Sequence, residues 1–159
     1  MEQWDYFFQA QVGASAALVG LIFVSISISL TRILAAPHLP GRALHALIDL
    51  FQIFVAASLM LVPQAVRTAG IEITATSLAL WTVILVLNLR TMHRVTAPHR
   101  RRMAIRTGLS QVTAMLYVGA GIAMLAYGVD GIFVLVPAVI VSYLVAIIDA
   151  WVLLIEINR

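Results

Sequence analysis

Two acids stand inside long apolar stretches of this 159-residue chain, Asp49 and Asp149. A carboxyl in a membrane-crossing segment costs about 2.5–3.5 kcal/mol at the helix centre on insertion scales, so it normally faces a bundle interior or a cavity and meets a partner there. Each acid lies seven residues from a charge that marks a segment end: Arg42 for Asp49, Glu156 for Asp149. At about 1.5 Å per helical residue, both sit roughly 10 Å below the same surface. Gln52 lies in the same segment as Asp49, and Ser25, Ser29, Asn88, Ser110 and Gln111 fall in the same third of their own segments. The spacing predicts one polar layer shared by several helices.

Three chemistries suit such a layer. The acids can pair with arginines at the segment ends, such as Arg32, Arg42 or Arg90, and hold helices together. They can line a cation or proton pathway. They can form a carboxyl dyad sharing one proton, as in aspartyl proteases. The third option has the least support, because intramembrane aspartyl proteases carry a GxGD motif and these acids sit in IDL and IDA. A Ser–His pair within a span lacks its base, since His38, His45, His93 and His99 all fall in two polar loops on this reading. Their spacings match no zinc motif. No catalytic residue, cofactor or metal ligand is therefore expected, and with no cysteine in the chain a thiolate centre and a disulfide framework are excluded.

The elements that must hold the layer are helices in a bilayer. The chain is 62% hydrophobic and only 11% charged, with a mean hydropathy of +1.02. Soluble domains run nearer half apolar and a quarter charged. The expectation is an all-α integral membrane bundle in a single domain, with five transmembrane helices at about 10–31, 43–66, 73–89, 107–127 and 132–155. The aromatic start, MEQWDYFFQ, reads as an interfacial lead-in. Pro37, Pro40 and Gly41 break the first loop, and GVDG at 128–131 signals a tight hairpin.

Orientation comes from arginine. Residues 90–106 hold Arg90, Arg94, Arg100, Arg101, Arg102 and Arg106, six of the ten basic residues. A short segment this basic stays cytoplasmic. With it inside, Arg32, Arg42 and Arg159 are also inside, and only Arg67 is outside. The N-terminus is then outside and the C-terminus inside. The same basic segment is a contact for anionic lipids. Nucleic-acid binding needs a folded basic module that this chain lacks.

Small residues predict close packing. Ala138, Ser142, Ala146 and Ala150 recur every fourth residue, and Asp149 borders that stripe. Gly13/Ala17 and Ala16/Gly20 repeat the spacing in the first span, and Gly119, Gly121 and Ala123 add to it in the fourth. Such patterns serve helix contacts within a protomer or between subunits. Trp81, Tyr117 and Tyr143 lie near mid-depth and need partners for their polar tips.

The opening QVGASAALVGLIFVSISISL resembles the start of small, uncharacterised multi-span bacterial inner-membrane proteins. That resemblance implies a bacterial inner-membrane location and carries over no functional residue. The expected function is non-enzymatic: an accessory or assembly-forming subunit that acts through helix packing, as a homo-oligomer or with a membrane-protein partner. The alternative is a small cation or proton channel or transporter built on Asp49 and Asp149.

Overall fold

The computed structural model describes the backbone of residues 2–35, 39–92 and 97–157, and side chains over 4–35, 39–86, 108 and 111–155. The described chain is helical throughout, in the order α1 (Glu2–Ile28), α2 (Leu30–Ala35), α3 (Leu39–Leu61), α4 (Val66–Met92), α5 (Ala97–Tyr127), a 3₁₀ helix (Gly128–Val134) and α6 (Leu135–Ile157). Four segments are long and apolar enough to cross a membrane: Trp4–Ile28, Leu39–Leu61, Val66–Val86 and Gln111–Ile155.

The helices run past the expected spans wherever polar residues extend a helix without breaking it. The aromatic start is the first two turns of α1, with Trp4, Phe7 and Phe8 packed ring against ring and Phe8 buried, rather than a separate lead-in. At its other end α1 is interrupted only at Ser29. The Ser29 N–H still donates to the Ser25 carbonyl, and the Ile33 N–H to the Ser29 carbonyl, so the helical hydrogen-bond ladder continues into α2. α3 stops at Leu61, before Pro63, which lies outside the helix rather than within it; the residue before a proline is pushed away from helical dihedrals. α4 already holds Arg67, Gly70 and Glu72, which sequence alone suggests as a connection. The segment from Arg90 to Arg106 belongs to helix up to Met92 and again from Ala97; residues 93–96, with His93 and Arg94, lie outside the described residues.

The chain forms two compact units. One comprises residues 1–63 and 139–159, and the other residues 64–138. In the first, α1 packs along α3, and α2 closes against α3. Ile33, Leu39, Ala43 and Leu153 make its apolar cluster there, with Ile26 against it. Tyr143 of α6 donates to the Gln11 carbonyl of α1 at 3.4 Å.

In the second unit, α4 pairs with α5. Gly70 and Gly121 bring the two backbones together. A Cβ on Gly70 would stand 3.0 Å from the Gly121 carbonyl oxygen, and one on Gly121 would strike Thr74 Oγ1. Ile73, Ser77, Tyr117, Ala120 and Met124 are buried around that crossing. α5 ends at Tyr127 because Gly128 takes φ +63, the left-handed helix stop that glycine adopts without penalty. The expected tight hairpin at 128–131 is instead one end of a seven-residue 3₁₀ helix. That helix folds back on α5, with Gly131 against the backbone of Ala123 and Met124.

Candidate functional site

The first unit contains a polar line on an otherwise apolar buried face of α3. Arg42, His45, Asp49 and Gln52 are spaced i, i+3, i+7 and i+10, which at about 100° per residue confines them to a sector of roughly 80°. Arg42 is half-buried, while His45, Asp49 and Gln52 are 7%, 4% and 7% exposed. Leu50, Ile53, Ala56, Ala57 and Met60 fill the buried face around and beyond them.

His45, on α3, and His99, on α5, are corrections to the sequence reading, which put all four histidines in loops; His38 and His93 lie outside the described residues. Hydropathy falls off near Arg42 and Pro40, but the helix starts at Leu39, so His45 lies in its second turn. Pro40 is no obstacle, because a first-turn N–H has no intrahelical partner to lose. His45 Nδ1 lies 2.6 Å from the Gly41 carbonyl oxygen. A carbonyl oxygen only accepts, so Nδ1 is the donor in that contact.

Asp149, on α6, belongs to the same unit and is 6% exposed. None of Asp49, Gln52, His45 and Asp149 is without a partner. Ser25 and Ser29 are half-buried at the α1 break in that unit. The remaining members of the expected layer fall in the second unit. There Gln111 Oε1 accepts the indole N–H of Trp81, which satisfies the one polar atom that Trp81 carries. The side chains of Asn88 and Ser110 lie outside the described residues.

An apolar groove of about 180 Å³ opens in the first unit. It is lined by Leu18 and Ile22 of α1, Leu50 of α3, and Ala146, Ile147 and Trp151 among others on α6. Leu50 and Ala150 line it while their neighbours Asp49 and Asp149 do not.

Several hydroxyls are occupied within their own helices. Ser15 Oγ donates to the Gln11 carbonyl at 2.6 Å, Ser27 to Phe23 at 2.8 Å, and Ser77 to Ile73 at 2.5 Å. Such back-bonding is how Ser and Thr enter apolar helices. Among the described residues no group of three or more His, Cys, Asp or Glu is placed to hold a metal.

The two small-residue patterns behave differently. On α6, Ala138, Ser142 and Ala146 are buried and Ala150 is half-buried in the groove wall. On α1, Gly13, Ala16, Ala17 and Gly20 are exposed, and a Cβ on either glycine would meet nothing within 4 Å. Only 6% of the apolar window of α1 is buried, against 50% for α3. Comparison with protein families, curated proteins and solved structures finds no match to this chain.

Proposed function

We propose that the chain is a non-enzymatic membrane protein of the bacterial inner membrane, an assembly-forming or accessory subunit that works through helix packing. The observation that carries this reading is the open small-residue face of α1. In lipid, apolar side chains gain little by leaving the bilayer, so helices associate where small residues let backbones approach. The α6 stripe is already buried. The Gly13/Ala16/Ala17/Gly20 face is the one left open for a second membrane helix.

Five crossings, with the N-terminus outside and the C-terminus inside, fit the same reading. The fourth apolar segment has 45 residues, about 68 Å as one helix, more than twice the roughly 30 Å of a bilayer core. The positive φ of Gly128 and the return of Gly131 onto α5 supply a turn between two crossings. Arginine then gathers on the inner side, where anionic lipids meet Arg90–Arg106.

The test is the mass of the full chain in mild detergent. The parent is expected to run as an oligomer or with a co-purifying membrane protein, and Gly13→Leu with Gly20→Leu to reduce it to a monomer of unchanged helicity. A monomeric parent, or an unaltered assembly in the double variant, sinks the reading. A cation or proton conduit is the second reading, favoured by the burial of Asp49, Gln52 and Asp149 in one unit.

A further inference from the structure

The groove in the first unit runs along α6 from Ala146 to Leu154, about 12 Å of helix rise. The small side chains of Ala146 and Ala150 line it, with Leu18 and Ile22 of α1 and Leu50 of α3, and Trp151 is 63% exposed at its side. A volume of about 180 Å³ spread over that length is too narrow for a second helix, which with its side chains measures about 10–12 Å across. It suits a single hydrocarbon chain. In a bilayer such a groove does not stay void, because its lining would forfeit dispersion contacts that a neighbouring acyl chain supplies.

One end of the groove meets positive charge. Leu153, next to Leu154, belongs to the same apolar cluster as Ile33, Leu39 and Ala43. Arg32 directly precedes Ile33; it is exposed and has no ion pair among the described residues. The sequence flanking these helix ends carries Arg32, Arg42 and Arg159 against Glu156. We propose that the groove and Arg32 together bind one anionic phospholipid, with an acyl chain along α6 and the phosphate at the Arg32 guanidinium. The acyl chain by itself gives little preference, since apolar groups gain little by moving from lipid into protein. Selectivity comes from the headgroup. A guanidinium pairs with phosphate through charge-assisted hydrogen bonds, and an anionic headgroup brings no ammonium of its own to compete. Leu18 and Ile22 each lie about 160° round α1 from Gly20, at about 100° per residue. The lipid therefore takes the face of α1 opposite the one left open for a second helix. The site needs a bilayer but no association between chains, so its failure leaves the assembly reading untouched.

Trp151 reports occupancy, because bromine on an acyl chain quenches an indole that it touches. The full chain, with Trp151 kept as its one tryptophan through Trp4→Phe and Trp81→Phe, is placed in phosphatidylcholine vesicles. These contain a small, equal share of either brominated phosphatidylglycerol or brominated phosphatidylcholine. The expected result is several-fold stronger quenching by the brominated phosphatidylglycerol. Arg32→Gln is expected to bring the two lipids level, and Arg32→Lys, which keeps the charge, to retain a preference. Ala150→Phe, which fills the groove, is expected to remove the preference with helicity unchanged. Equal quenching by both lipids in the parent overturns the proposal, and so does quenching by neither, which means that protein covers the groove. A preference that survives Arg32→Gln belongs to other arginines and overturns it too, as does one that survives in a helical Ala150→Phe protein. If Ala150→Phe loses its helicity, the parent and Arg32→Gln decide, because Arg32 is exposed and its replacement leaves the core intact.

Discussion

Gly131 rests directly on the backbone of Ala123, eight residues earlier in the chain. No side chain fits between them, because a Cβ on Gly131 would clash with the Ala123 carbonyl and the Met124 backbone nitrogen. The chain can turn back after α5 only while that position stays bare. Ile132 and Leu135, both fully buried, follow immediately and depend on the same turn.

Gly131→Ala is therefore expected to destabilise the second unit by about 1–3 kcal/mol, the usual cost of overpacking. Gly128→Ala adds about 1–2 kcal/mol of left-handed backbone strain at an otherwise open position. Thermal melts followed by helicity compare the two. Equal melting of Gly131→Ala and parent shows that the turn relaxes freely, and the contact then has no structural weight.

How far the sequence speaks depends on what each signal reports. Hydropathy reports what can sit in lipid, so it found the apolar stretches that became α1, α3, α4, α5 and α6. It does not report where backbone hydrogen bonds stop. Arg67 and Glu72 are polar yet helical, and Gln64 Nε2 donates to Glu72 Oε2 at 2.8 Å, tying the bend after Leu61 to the start of α4. Pro63 and Gly128 carry stereochemical information, and at Tyr127 the helix ends where glycine predicts. His45 was lost to its neighbourhood, although the spacing 42, 45, 49, 52 was readable as one face. The Trp81–Gln111 pair and the Gly70–Gly121 crossing join residues of different helices, and a single sequence has no term that brings them together.

The proposed topology rests on arginine placement and is open to chemical labelling. Arg67 and Asp130 are exposed, at the start of α4 and in the 3₁₀ helix. With no native cysteine to remove, Arg67→Cys and Asp130→Cys are expected to react with an impermeant thiol reagent on intact cells, and Thr96→Cys only after lysis. Labelling of Thr96→Cys from outside reverses the orientation, since the positive-inside bias rests on the segment around it.

The α6 stripe makes a prediction of opposite sense to that of α1. Ser142 and Ala146 are buried, so Ser142→Leu and Ala146→Leu force bulk into filled space. Each is expected to lower stability by about 1–3 kcal/mol, seen as an earlier melt. If both variants melt with the parent, this face of α6 has room for bulk and its burial is not close packing.

Asp49 and Asp149 separate the structural reading from the conduit. Both are buried in one unit and neither is without a partner. In a structural role, each carboxylate offsets a positive or hydrogen-bonding group. Removing one member of a buried charged pair leaves the other uncompensated and costs about 3–5 kcal/mol. Asp49→Asn and Asp149→Asn are then expected to melt early, while neither the parent nor the variants move protons or Na⁺ across liposomes. In a conduit, the same substitutions leave melting intact and abolish a flux that the parent supports. Purified parent and Asn variants, compared by melting and by flux against imposed pH and Na⁺ gradients, decide between the two. Unaltered melting with no flux in the parent defeats both readings, and makes the two acids tolerated passengers of their helices.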